Sequence, residues 1–481
     1  MFKNDTLRLV EESKKGFGAR VERNRERLLD YYNKPYDHTT DIYGDAAFFA
    51  LYNGVHVEEA LEQIARSAQW FELPHPHGRN PKGESTFCAL ALMSNLNRAA
   101  DKLSDEVRKL IDTFFLHRNF ESMYESENHR LLHHTAVYLA AQFYQGKYFE
   151  HMGKTAEEIV KNEEEYLLNY IDFRACRSWG EFDSYGYLGV DFNCLLDIHD
   201  FSRNEKLRKM ARMMLDIILI DMAVDSRNGL CGGAHGRIYP PSALNAQSGG
   251  MQNIYGFYFD TEYAEQVGPA SYRCVLSSYH PSDVVYQLML CKQGNYISRK
   301  GKHLHCIPEE QQPGTISKYT YLAGKYIIGA VNRQDHYIPD TPQRWYAHHE
   351  QHELDAMILT HPRAKVFTHH PGPEGSKEHN QWTGDLGCCC VQTFCDMNVA
   401  MAIYDIPQQA EKHYINAYMC EGVMDEVRLD NEWAFCMKDN VYIALYGNGG
   451  WHYTDWFFED PRFKYNYRGE KCRVELVSEG L

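Results

Sequence analysis

Glu127, Asn128, His129 and Arg130 stand in a row at the head of a long helical run, Leu131 to Phe143. Ser126 suits the N-cap, and a helix dipole favours an acid such as Glu127 in the first turn. A cap explains only one residue, however, and neither Asn nor His is a strong helix former. An amide donor, an imidazolium and a guanidinium together can neutralise a carboxylate. That is what β-elimination from a uronide requires, because the C5 proton is weakly acidic until the adjacent carboxylate is neutralised and the enediolate can form.

Elimination also needs a base at C5 and a proton for the leaving oxygen. Three polar stretches offer partners. The segment Arg177-Ser178-Trp179-Gly180-Glu181-Phe182-Asp183-Ser184-Tyr185-Gly186-Tyr187 carries two phenols, and Tyr185 or Tyr187 fits either duty; Tyr185, at the start of the next helix, is favoured, with packing as its other reading, and Tyr187 and Trp179 are candidate sugar contacts. In Gly232-Gly233-Ala234-His235-Gly236-Arg237-Ile238-Tyr239 the glycines give the backbone freedom to bring His235, Arg237 and Tyr239 close to a ligand. Pro74-His75-Pro76-His77-Gly78-Arg79 has the same loop texture. Hydrolysis is the competing chemistry: Glu181 and Asp183 stand two apart, and one could serve as acid with Glu127 as base or nucleophile. A separation of roughly 5 Å would mean retention and roughly 6.5–9.5 Å inversion.

Histidines also crowd the C-terminal half, at 348, 349, 352, 361, 369 and 370. In a strand, His348, Glu350 and His352 would share one face with His349 opposite, beside Trp345. The types are those of metal ligands, but without a clear fourth ligand no cofactor is expected, and zinc is the minority reading. Cys388-Cys389-Cys390 reads as strand packing.

The elements that must position these groups change character along the chain. Segments near 5–32, 41–53, 56–71, 84–99, 104–116, 127–145, 155–170, 186–201 and 204–224 show helical apolar spacing between short turns. After about Leu290 come short β-branched or aromatic runs, at 296–299, 317–321, 326–331, 364–368, 399–404 and 441–446. The fold class is therefore α+β with two domains: antiparallel helices over 1–275, as a stacked array or a closed toroid of hairpins, then an antiparallel β-sandwich over 276–481 contributing to the cleft.

Composition narrows the partners. With 34 Tyr, 7 Trp and 13% aromatic residues, the chain has flat rings suited to sugar faces. A net charge of -16 argues against nucleic acid and against an anionic membrane surface. Met1-Phe2-Lys3-Asn4-Asp5 lacks a secretory pattern, no long apolar run occurs, and 14 Cys without paired CxxC spacing suit a reducing compartment, so a cytoplasmic protein is expected. Self-association into a homo-oligomer is compatible with all of this.

The order of these features resembles the heparinase II/III and alginate-lyase superfamily of carbohydrate-active enzymes: Asn128-His129 at a helix start, Ser184-Tyr185-Gly186-Tyr187 before the next inner helix, and a histidine-bearing β domain. The resemblance implies an (α/α) toroid joined to a β-sandwich and a polysaccharide lyase acting on a uronate-containing oligo- or polysaccharide. It implies that Asn128 and His129 neutralise the uronate, that a tyrosine is acid or base, and that a β-domain histidine, here His349, assists; from the residue types themselves, Arg130 or Arg237 joins in neutralising the carboxylate, and Arg130, His348 and Trp345 are candidate substrate contacts. Glu127, Glu181 and Asp183 depart from that pattern and keep open an exo-acting hydrolase of the glucuronidase type. A non-catalytic sugar-binding protein is the third alternative.

Overall fold

The computed structural model describes residues 4–32, 41, 43–73, 81–120, 126–238, 240–259, 271–292, 294–303, 315–333, 353–370, 391–406, 408, 412–454, 473 and 475–479. Helices come first: α1 (Asn4–Lys15), α2 (Phe17–Tyr32), α3 (Asp45–Asn53), α4 (Val57–Ala68), α5 (Pro81–Arg98), α6 (Asp105–His117), α7 (Glu127–Phe143), α8 (Ala156–Arg177), α9 (Tyr187–Phe201) and α10 (Glu205–Val224). Four shorter ones follow, α11 (Pro240–Leu244), α12 (Gly250–Phe259), α13 (Tyr272–Leu276) and α14 (Asp283–Leu290). Two small strand pairs interrupt them, β1 (Tyr148–Phe149) with β2 (Lys154–Thr155) and β3 (Ser226–Arg227) with β4 (Leu230–Cys231).

Helix starts follow local chemistry. The side chains of Ser104, Ser126 and Asn204 each accept a backbone N–H three residues on, and Thr155 forms a reciprocal capping box with Glu158. The spacing predicts one helix over 5–32, but the chain breaks at Gly16, where the residue with least helix propensity short of proline separates α1 from α2. The remaining expected helices lie within a few residues of those observed, apart from α8, which runs on to Arg177. Packing runs in a circuit: α3 on α5, α5 on α7, α7 on α9, α9 on α12, α12 on α2 and α2 on α3. Outside this circuit α4 packs on α3 and α5, α8 on α7, and α10 on α8 and α9.

The C-terminal region is built on one antiparallel sheet of eight strands. Its members are β5 (Tyr296–His303), β6 (Thr315–Leu322), β7 (Tyr326–Arg333), β8 (Leu354–Ile358), β9 (Lys365–His369), β12 (Tyr414–Met419), β16 (His452–Tyr453) and β17 (Glu475–Glu479), ordered β16-β17-β12-β9-β8-β7-β6-β5. The hairpin β10 (Val391–Asp396) and β11 (Val399–Tyr404) packs on β7, and β13 (Glu426–Asp430), β14 (Trp433–Lys438) and β15 (Val441–Tyr446) form a separate meander. The outer face of the large sheet, with Tyr319, Tyr321 and Ala330, meets Cys395 of the hairpin. Its inner face, with Ile327 and Met357, meets Leu230 and Ala246 from the helical region. The last helix ends at Leu290 and the first long strand begins at Tyr296, so the change from helix to strand falls beyond residue 275.

Ion pairs join the two regions. Lys300 on β5 lies directly opposite Lys318 on β6, and Lys302 follows two residues along the same strand. Like charges in such register repel. Acids from the helical region answer them. Lys318 Nζ lies 2.6 Å from Asp183 Oδ2 and 2.7 Å from Asp225 Oδ2. Lys300 Nζ is 3.0 Å and 2.7 Å from the same two oxygens, and Lys302 Nζ is 2.5 Å from Asp221 Oδ2 and 2.7 Å from Ser178 Oγ. Burial alone would keep Asp183 and Asp225 neutral, but the lysines outweigh it, holding Asp183 well below the usual carboxylate range and Asp225 down to about 2.

Removing one partner from such a buried cluster strands the opposite charges. Lys318→Met should therefore cost ~3–5 kcal/mol of stability in urea unfolding, and a loss under ~1 kcal/mol would contradict this account. Because Asp183 and Asp225 titrate lower folded than unfolded, their contribution is present above about pH 4 and disappears as the pH falls toward about 2. Unfolding free energy measured across that window should fall with acidity in the wild type and fall less steeply in Asp225→Asn.

Candidate functional site

The first turn of α7 holds its neighbours by hydrogen bonds. Glu127 Oε2 accepts from the backbone N–H of Gly180 at 2.9 Å and Oε1 from that of Glu181 at 2.8 Å, while Arg174 Nη1 lies 2.9 Å from Oε2. Tyr170 donates its hydroxyl to the Glu127 carbonyl. Glu127 is 1% exposed, so this carboxylate anchors the 178–186 loop, and the role of hydrolytic base or nucleophile does not suit it. Trp179 is likewise buried, with the Arg174 guanidinium 5.5 Å from its ring, and packs the loop rather than facing a sugar.

From Asn128 a polar run leads to the next helix. Its Oδ1 accepts from Ser126 Oγ, and its Nδ2 donates to Glu181 Oε2 at 2.9 Å. Glu181 Oε1 is 3.9 Å from Arg237 Nε. The Arg237 guanidinium lies 5.3 Å from the centre of the Tyr187 ring, with Nη2 3.5 Å from the phenol oxygen. Ser184 ties the two segments, donating to the Arg237 carbonyl at 2.9 Å and accepting from the Tyr187 N–H at 3.2 Å. Three residues here have left-handed backbone, Ser178 (φ 62°), Asp183 (φ 52°) and Arg237 (φ 46°). Such conformations persist where surrounding contacts impose them. At Gly236 a side chain would meet Phe182 at 2.9 Å, so the glycine is required by the close approach of the two loops.

Tyr185 sits elsewhere. It is 1% exposed, donates its hydroxyl to the Cys231 carbonyl at 2.6 Å, and packs 4.6 Å from the His235 ring. Burial pushes its phenol well above the usual range. These contacts make Tyr185 a packing residue of the loop, while Tyr187, half-buried, lies beside the Arg237 guanidinium. Asp183 belongs to the lysine cluster and is unsuited to acid catalysis. His235 is fully buried, its Nδ1 3.0 Å from the Asp183 carbonyl, and burial together with the cations of Lys318 and Lys365 lowers it to about 3. It supports the loop rather than binding substrate.

His129 turns toward α5, where Nδ1 lies 3.2 Å from Thr86 Oγ1 and its ring meets Phe87 edge-on. His129 and Arg130 are both half-buried. The structure therefore brings together Asn128, Glu181, Arg237 and Tyr187, flanked by His129. Tyr239, Trp345, His348 and His349 lie outside the described residues. Among the described residues no group of three or more His, Cys, Asp or Glu is placed to hold a metal ion, and no helix is long and apolar enough to cross a membrane.

One group escapes the sequence reading altogether. Asp191, one turn after Tyr187 in the apolar α9, is 1% exposed, and among the described residues neither carboxyl oxygen has a hydrogen-bond partner. Burial, with Glu127 and Glu181 adding to it, pushes this carboxyl well above the usual range against the pull of Arg174. Its only sequence signal is a carboxyl four residues from Tyr187, a spacing that shares a helix face. No protein-family model matches the chain, and a search of curated proteins returns no match.

A histidine whose folded value is about 3 carries no charge at neutral pH. NMR titration from about pH 5 to 8, where free imidazole changes charge, should leave the His235 ring shifts flat; a midpoint inside that window would contradict its burial against Lys318 and Lys365.

Proposed function

We propose that this chain is a cytoplasmic carbohydrate-active enzyme that cleaves a uronate-containing oligo- or polysaccharide by β-elimination. The observation that carries the reading is the Asn128–Glu181–Arg237–Tyr187 run. A phenol beside a guanidinium loses its proton more readily, because the cation stabilises the phenolate. Tyr187 then removes the C5 proton, and the electron pair forms the C4–C5 double bond as the C4–O bond breaks. The proton held on Tyr187 passes to the leaving oxygen, so no water is consumed. An amide nitrogen carries two donors, and Asn128 uses one on Glu181; with His129 and Arg130 it can neutralise the uronate carboxylate.

The circuit α2-α3-α5-α7-α9-α12, with α4, α8 and α10 outside it, supports an (α/α) toroid as the scaffold. The Asn128–Glu181 and Glu127–loop bonds tie the start of α7 to the 178–186 segment that leads into α9, which agrees with that scaffold. The hydrolytic alternative is left with Glu181 alone of its three carboxylates, since Glu127 and Asp183 are engaged in anchoring the loop.

Incubation with a panel of uronate oligosaccharides, followed by ultraviolet absorbance and product mass, tests the reaction. Elimination gives a new chromophore and products without added water; water-added products lacking the chromophore would establish hydrolysis instead. Tyr187→Phe and Arg237→Ala should each lower turnover by at least ~100-fold, while Tyr185→Phe stays within ~5-fold of wild type once folded. Equal losses at Tyr185 and Tyr187 would remove the assignment of the proton to Tyr187.

A further inference from the structure

Around the loop anchor the described residues hold three carboxyls, Glu127, Glu181 and Asp191, against two guanidiniums, Arg174 and Arg237. Each of these side chains is at most 7% exposed. Glu127 is matched by Arg174 and by two backbone N–H groups, and Glu181 by Asn128 and Arg237. Asp191 receives no hydrogen bond from any of the described residues. A buried ionised carboxylate with no donor is expensive, whereas a neutral carboxylic acid in the same place is tolerated.

We infer that Asp191 is a positioning residue that holds a proton in the buried cluster, leaving Glu181 ionised opposite Arg237 and so keeping the guanidinium over Tyr187. Among the described residues the titratable and charged groups close enough to act on it are Glu127 from α7, Tyr170 and Arg174 from α8, Glu181 from the 178–186 loop and Cys194 from its own helix. Ionising Asp191 would add a third negative charge to this cluster. That charge would compete with Glu181 and Glu127 for the guanidiniums and make the Tyr187 phenol harder to ionise. The raised folded value of Asp191 agrees with this and carries a linked cost: above the ordinary carboxylate value the unfolded chain ionises while the folded one does not, so stability is lost as pH rises until Asp191 itself ionises.

Asp191→Asn keeps the shape and the neutral state and so isolates the proton. Infrared difference spectra, wild type minus Asp191→Asn near neutral pH, should contain the carbonyl stretch of a protonated carboxylic acid. The variant should melt at a higher temperature than wild type, by a margin that widens with pH. On the proposed uronate substrate it should retain turnover within ~3-fold at neutral pH and hold that rate to higher pH than wild type, which loses activity as Asp191 ionises. An absent infrared band, an Asn variant at least ~100-fold slower though folded, or an unchanged pH profile would each overturn the inference. Only the rate measurements rest on the proposed reaction. If neither protein cleaves any uronate saccharide, the infrared band and the melting difference still decide the state of Asp191, and the failure belongs to the reaction.

Discussion

The buried contact of Asp183, Asp221 and Asp225 with Lys300, Lys302 and Lys318 is the constraint on which the rest of the site depends. Each side would be unstable alone. Lysines on paired strands, two of them directly opposite, repel one another, and aspartates taken out of water without cations would be driven neutral. Brought together they satisfy one another, and a shift of the sheet against the helical region would strand charges of both signs. Repulsion within each set makes the pairing selective.

The same contact fixes a loop. Asp183 is pulled toward the sheet while Gly180 and Glu181 are held to Glu127 at the head of α7, so the 178–186 segment is fastened from two directions. Left-handed backbone at Ser178 and Asp183 is the local cost of spanning these anchors. What the loop gains is direction: it ends at Tyr187, and through Ser184 it holds the turn that carries Arg237. Two carboxylates that sequence alone would nominate for catalysis, Glu127 and Asp183, turn out to be the two ends of this fastening.

Much of the architecture was legible because its signals are local. Serine caps, apolar spacing at three and four residues, and β-branched runs bounded by turns place most helices and several strands close to where they occur. β8, β10, β12, β13, β14, β16 and β17 lie outside the six runs; β8 and β12 are buried almost throughout and so carry no alternation, whereas β10 and β14 do alternate and their mixed residue types hide it. The site was legible in part. A bond between the head of α7 and the tyrosine-bearing loop is present at Asn128 and Glu181, but Tyr185 and Tyr187 differ only in which neighbour each meets, the Cys231 carbonyl or the Arg237 guanidinium, and that is a long-range fact. Lys300 and Lys302 alternate like any exposed strand pair; only the acids of α10 and the loop make them interior.

The most direct measurement of the claim that the carboxylate–lysine cluster sets the loop is native-state hydrogen exchange at the Gly180, Glu181 and Gly236 amides, in wild type and in Lys318→Met. The account predicts slow exchange at all three in wild type and at least ~10-fold faster exchange in the variant, with the amides in the middle of α7 unchanged. Loop amides that exchange at the wild-type rate in a folded Lys318→Met protein would contradict it.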